Sequence, residues 1–389
     1  MADTKLFTLE GKGLKLDTAA DVEVHIADLR ANDVEEVRLL GNTLGVEACK
    51  ALGEVLATKK NLRVANFADI FTGRLISEIP DALRALCDAL TDHTSLVELN
   101  LSDNAFGGRS AEPMVNFLKN NHSFSVLKLN NNGLGPHAGI LIADSLSELH
   151  AKKEAARKEG QEVPDLETVI CGRNRLENGS MTAWAKTYKL HNKIKQIKMV
   201  QNGIRQEGIA HLLSEGLNHA TELRVLDLQD NTFTILAARA LSKVTPGWTE
   251  LRELGVGDSL LSAKGGKLLA KALANGKNTK LEILRLQYND ITAPGVKALA
   301  EAAKSSLPAL KRVELNGNKF SEDDESVTQI QELLDERKEK LGGDVVNEDE
   351  WGVDDLSDLE DEDSDDEKEE DSDDDEDDKV DVEERAEKL

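Results

Sequence analysis

The stretch LVELNLSDNAF at Leu96–Phe106 decides the fold, because its form L-x-x-L-x-L-x-x-N-x-L returns along the chain. It reads FSVLKLNNNGL at Phe124–Leu134, LETVICGRNRL at Leu166–Leu176, IKQIKMVQNGI at Ile194–Ile204 and LRVLDLQDNTF at Leu223–Phe233. LEILRLQYNDI (Leu281–Ile291) and LKRVELNGNKF (Leu310–Phe320) complete the full matches, and VEEVRLLGNTL (Val34–Leu44) is an early copy. Two looser copies, LRVANFADIFT (Leu62–Thr72) and LRELGVGDSLL (Leu251–Leu261), carry Ile70 and Ser259 where the others have Asn. A degenerate copy, TKLFTLEGKGL, starts at Thr4, making eleven units. Their starts are 28 to 30 residues apart, except for gaps of 34 and 42.

This is the leucine-rich repeat at the long end of its range. The L-x-L centre is a short strand whose leucines point inward at period two. The Asn sits in the turn behind it, where backbone groups lack ladder partners and an amide can both donate and accept. The second half of each unit has helical spacing: Ala48, Leu52, Val55 and Leu56 after Asn42, and Val296, Leu299, Ala300 and Ala303 after Asn289. Helices are wider than strands, so the stack curves. The predicted fold is therefore an α/β horseshoe of about eleven strand–helix units, with parallel strands on the concave face. Its 28–29-residue period is that of ribonuclease-inhibitor-like repeats. Val327, Ile330, Leu333 and Leu334 predict an amphipathic helix that caps the array. Insertions in repeats map to surface loops. The 34-residue gap holds six extra residues within DIFTGRLISEIP (Asp69–Pro80). The 42-residue gap holds fourteen around AKKEAARKEGQEVP, in residues 151–164, read as a helix extension or a mobile loop.

Charge divides the chain. The whole carries −26, and residues 341–389 hold 27 acids against 4 bases, leaving 47 acids and 44 bases for residues 1–340. The reading is a repeat domain over 1–342 and a disordered acidic tail over 343–389. Such a chain repels nucleic acid and favours basic protein surfaces. No apolar run of about 18 residues predicts a membrane span, and the start, MADTKLFTLEGKG, lacks the apolar core of a signal peptide. Three cysteines (Cys49, Cys87, Cys171) cannot all pair and fit a reducing compartment. A capped solenoid with a charged tail predicts a monomer. Ser357, Ser364 and Ser372 each have an acid three residues later, a pattern for acid-directed phosphorylation. The tail reads as a solubilising brush or as a weak lure for basic partners.

No nucleophile, P-loop or metal-ligand spacing is present: Gly266-Lys267 runs into Leu268, and there is no H-E-x-x-H or C-x-x-C. The candidate surface is the rim behind the strands. One residue before each ladder position stand Gly41, Asp69, Asp103, Asn131, Arg173, Gln201, Asp230, Asp258, Tyr288 and Gly317. The four Asp form an acidic stripe, read either as a solvated rim or as a binding rim for a basic surface. In Asn130-Asn131-Asn132 the ladder residue is Asn132, which frees Asn131 to act outward. Arg74 lies on the six-residue insertion after Gly73, overlooking this edge.

The phrases DIFTGR (Asp69–Arg74), LNNNGLGP (Leu129–Pro136), ICGRNRLENGSM (Ile170–Met181), KMVQNGIR (Lys198–Arg205) and LDLQDNTFT (Leu226–Thr234) go beyond the repeat consensus. RLQYN (Arg285–Asn289) and ELNGN (Glu314–Asn318) fit with them. Through essentially all of the repeat body the chain resembles the RanGAP family, the activators of the small GTPase Ran. The resemblance implies a short form, without the vertebrate C-terminal domain or the plant N-terminal targeting domain, acting in the cytoplasm in support of directional nucleocytoplasmic transport. It implies an activator with no chemistry or cofactor of its own: Ran, in its GTP form, holds GTP and Mg2+, and a Ran-binding helper protein is a further partner. It implies that Asn131 orients Ran's catalytic Gln, and that Arg74 is essential without touching the phosphates. The alternative, an arginine finger at Arg74, is not separated by sequence. The implied footprint adds Asp69, Asp103, Asn104, Gln201, Asn202, Asp230, Asp258 and Tyr288, although Asn104 and Asn202 are also ladder positions.

A competing reading is an acidic scaffold or inhibitor that binds a basic protein without activating it. A ribonuclease-inhibitor-like form would be rich in Cys, and histone-binding acidic-tail proteins use shorter repeats of roughly 23 residues.

Overall fold

The computed structural model describes residues 5–340 and 350–360. Each L-x-L centre forms a three-residue strand, from Leu6–Thr8 through Glu98–Asn100 and Val126–Lys128 to Arg312–Glu314. These eleven strands lie side by side in chain order in one parallel sheet. The register is constant, so Leu99 pairs with Leu127 and Leu127 with Val169. The central residue of each strand is buried, and most of those flanking it line the concave face half-buried. A helix follows most strands and packs on the helices of the units beside it. The wide helical layer outside and the roughly 4.8 Å strand spacing inside give the horseshoe its curvature.

The turn behind the strands is held by the Asn ladder. Asn104 Nδ2 donates to Phe67 O and Leu101 O, each at 2.9 Å, while its Oδ1 accepts from Ile70 N at 2.8 Å. Asn132, Asn174 and Asn202 repeat this, each Oδ1 accepting from the backbone N–H of the previous ladder residue at 2.9–3.0 Å. In the units that keep the Asn, one amide thus satisfies three buried backbone groups.

The insertion in the 42-residue gap is a helix extension. Helix Gly135–Lys158 runs 24 residues, and Gly160 turns the chain back with φ 85°. Although the segment reads as polar surface, Lys153 is 1% exposed. Its ammonium donates to His122 O (2.8 Å), Phe124 O (2.8 Å) and Pro164 O (2.9 Å), tying the extension to the entries of the strands on either side of it, Val126–Lys128 and Thr168–Ile170.

The array does not end with helix Glu325–Lys340. Residues 350–360, assigned by composition to the tail, return to the sheet, and Gly352–Val353 adds a twelfth parallel strand beside Arg312–Glu314. Val353, Leu356 and Leu359 pack against the core. The Asp354 carboxylate accepts from Leu315 N (2.6 Å) and Asn316 N (3.1 Å). In the preceding unit Leu286 N is satisfied by the next strand's Glu314 O, so the Asp354 carboxylate takes the place of a backbone carbonyl where the two-residue strand ends. The boundary at 343 is therefore corrected: an open sheet edge needs acceptors, and acidic side chains provide them. Ser357 lies exposed on this segment. Ser364, Ser372 and the rest of residues 361–389 lie outside the described residues.

Candidate functional site

The rim residues share one backbone conformation. Asp69 (φ 45°), Asp103 (62°), Asn131 (57°), Arg173 (54°), Gln201 (53°), Asp230 (54°), Asp258 (50°) and Tyr288 (54°) are left-handed, as are Gly41 and Gly317. The chain must leave the strand sharply to bring the ladder Asn inward, and this conformation makes the corner. Gly, Asn and Asp adopt it most readily. The Asp stripe therefore has a backbone reason as well as an electrostatic one. Arg173, Gln201 and Tyr288 have no such reason, and an L-residue there costs roughly 1–2 kcal/mol. Strain retained on an exposed edge points to function at those side chains.

Between the fifth and ninth units the rim encloses an open groove of about 650 Å³, lined by Asn131, Arg173, Arg175, Gln201, Asp230, Asp258 and Leu260 among others. Asn131 is exposed, its Nδ2 donates to Asp103 Oδ1 at 3.0 Å, and its backbone N–H is held by Gly172 O at 2.9 Å. That contact commits one of the amide's two N–H donors to Asp103 and so turns the nitrogen toward it and the oxygen away from it. Half-burial and then the neighbouring Asp258 raise the Asp230 carboxyl above its ordinary value, against the pull of Arg173. Arg173 and Arg175 were not singled out as site residues. The signal for Arg173 was available: a bulky cation occupies a rim position that in most other units holds Gly, Asn or Asp.

Other expected residues lie elsewhere. Asn104 and Asn202 are 2% and 0% exposed. Asn202 Nδ2 donates to Cys171 O and Met199 O while its Oδ1 accepts from Asn174 N. Neither amide has a polar atom left for a partner, so both belong to the ladder and leave the footprint. Asp69 accepts from Thr72 Oγ1 at 2.5 Å, shaping the start of the insertion. Tyr288 sits at the far end of the rim. Its hydroxyl donates to Asp358 Oδ2 at 2.7 Å. Its ring lies over Gly317, where any Cβ would collide with it.

Arg74 does not overlook the groove. Its side chain is 10% exposed and turns back toward the first two units. Nε donates to Thr43 Oγ1 (2.9 Å), and one terminal nitrogen donates to Thr43 O (2.9 Å) and Leu16 O (3.3 Å). The other pairs with the Asp17 carboxylate, which it holds below the usual carboxylate range. Gly45 makes room: a Cβ there would lie 2.8 Å from Asp17 O and 3.3 Å from the guanidinium. Arg74 is thus a clasp between the insertion and the first repeat.

Among the described residues no group of His, Cys, Asp and Glu is arranged to hold a metal, and no helix is long and apolar enough to cross a membrane. Cys49, Cys87 and Cys171 are buried and unpaired, and burial pushes their thiols up, to about 12 for Cys49 and Cys171.

A family model described as "Leucine Rich repeat" matches residues 92–115 and 277–300. Ran GTPase-activating protein 1 of Saccharomyces cerevisiae is 38% identical over 343 residues, covering 86% of this chain and 83% of that protein. The chain belongs to the Ran GTPase-activating protein family. The Drosophila melanogaster member is 35% identical over 320 residues, 81% of this chain and 52% of its own length. The Xenopus laevis member is 44% identical over 201 residues, 51% of this chain and 34% of its own. The matched lengths thus differ between members, and in this RanGAP-family chain the repeat body carries both the groove and the clasp.

Proposed function

We propose that this chain stimulates GTP hydrolysis by Ran, with Asn131 placed against Ran's catalytic Gln. The observation that carries this is the Asn131–Asp103 pair at the edge of the groove. Asp103 holds the amide so that its oxygen can accept from the N–H2 of an incoming Gln, whose own oxygen then orients the attacking water. Small GTPases are slow where that water is poorly held, so positioning alone accelerates the reaction. GTP and Mg2+ are Ran's, and this chain contributes no covalent step. Arg74, committed to four acceptors, shapes the insertion beside the rim, and Asp230 and Asp258 offer charge to a basic part of Ran. On this reading the chain works in the cytoplasm, where GTP loss from Ran gives transport its direction.

The test is GTP hydrolysis by Ran with this protein at about one part in a hundred. Wild type accelerates over many turnovers. Asn131→Ala loses about 10²–10³-fold, the size of removing one positioned polar group from a reacting centre. Binding without acceleration would leave the scaffold reading instead. In the same assay Asp230→Ala raises the half-saturating Ran concentration about tenfold and leaves the melting curve in place. An unchanged affinity removes Asp230 from the interface.

A further inference from the structure

Among the described residues five large apolar side chains are exposed: Val24 (76%), Leu75 (66%), Ile76 (55%), Leu260 (54%) and Tyr288 (44%). Four of the five lie on the rim or on the insertion that follows it. Leu75 and Ile76 come directly after the clasped Arg74, and Ile76 Cδ1 lies 3.7 Å from where Gly107 would carry a Cβ, in the neighbouring unit. Leu260 lines the same groove as Asn131. It also has φ 51°, at a turn position where Gly133 and Gly203 stand in other units. The backbone there suits glycine, and the chain instead holds a leucine in water. Folding gains nothing from either choice, whereas apolar groups at the edge of a polar groove are what an interface needs.

We propose that Leu75–Ile76 and Leu260 are two apolar anchors that bracket Asn131 and seat the GTPase partner. This rests on the function proposed above. The anchors are separated by six strand spacings, roughly 29 Å, which one face of a small folded domain can span. Between them Asp230 and Asp258 line the groove together with Arg173 and Arg175, and Arg173 pulls on the Asp230 carboxylate. The complementary face therefore carries two apolar contact points flanking a polar strip that meets both the Asp and the Arg side chains of the groove, and the clasp at Arg74 sets where the first anchor stands.

The experiment measures binding of Ran carrying a non-hydrolysable GTP analogue, and Ran GTP hydrolysis, for wild type, the double variant Leu75→Ser/Ile76→Ser, Leu260→Gly and the control Val24→Ser. Each anchor variant should raise the dissociation constant and the half-saturating concentration about tenfold, with the maximal rate within about twofold of wild type. Leu260→Gly should do so while melting at or above the wild-type temperature, since glycine relieves the turn. Val24→Ser should match wild type. If wild type activates Ran and the anchor variants bind as tightly as it does, the anchors are wrong and the function stands. A drop in maximal rate at unchanged affinity overturns them equally. Wild type that neither binds nor activates Ran overturns the function and the anchors together.

Discussion

Arg74→Ala should lose about 10²-fold or more of the stimulation of Ran, and Asp17→Ala should reproduce most of that loss with Arg74 intact. The reason is geometric. Arg74 ends on Thr43 Oγ1, Thr43 O, Leu16 O and the Asp17 carboxylate, so its guanidinium is spent inside this chain. Truncation strands two part-buried carbonyls, at about 1–3 kcal/mol each if water does not replace the donor. It also frees the insertion over residues 71–78, and a misplacement near 1 Å at a contact edge can cost about 10²-fold. Arg74→Lys should rescue little, because an ammonium cannot copy the planar fork. The Asp17 variant separates clasp from finger. An arginine finger is restrained by Asp17 and Thr43, so removing either would leave the rate unchanged or raise it. A clasp depends on them, so Asp17→Ala and Thr43→Val both lower the rate. Melting curves for each variant keep loss of the loop distinct from loss of the fold.

The strands and the ladder were legible because they rest on local periodicity, while the extension of the long helix stayed one of two readings for a polar segment. Leu99 and Leu101, two apart, can only share a face, and Asn104 three residues on falls in the turn. What period and composition could not show was which long-range partner claims a side chain. Asp17 is 57 residues from Arg74 in sequence, and nothing near either one announces the pair. The segment 350–360 was hidden for a different reason. Its acids dominate the composition, while Val353, Leu356 and Leu359 are too few to register as a core and matter only beside an open strand edge. The acidic rim was read as a line of outward positions; Asp103 and Asp258 are exposed while Asp69 and Asp230 are half-buried, and the left-handed turn gives Asp a local reason to be there. That shifts the weight of the functional argument toward residues the turn does not favour: Arg173, Gln201 and Leu260. Asn131 stays in the argument on other grounds, since the turn favours it but Asp103 fixes the face it presents.

Lys153→Met should lower stability by about 3–5 kcal/mol and the melting temperature by the order of 5–10 °C, the largest stability effect expected of a single surface-looking residue here. Methionine keeps the apolar stem and supplies no donor. The carbonyls of His122, Phe124 and Pro164 would then be buried without a partner, and the ammonium's 5.7 Å approach to the Phe124 ring would be lost as well. Burial, and after it the nearby Arg157, pushes the Lys153 amine down to about 7 from 10.5. The sign follows from that depression: between about pH 7 and 10 the unfolded chain holds a proton that the folded chain has released, so this residue's contribution rises with pH. The gap between wild type and Lys153→Met, measured by denaturant unfolding, should therefore widen across that window. A constant gap would mean that the three carbonyls keep the amine protonated against its burial. Loss of stability without loss of Ran activation per folded molecule would place Lys153 in the scaffold alone. A matching loss of activation would mean that the long helix also sets the position of Asn131, which begins the turn into that helix.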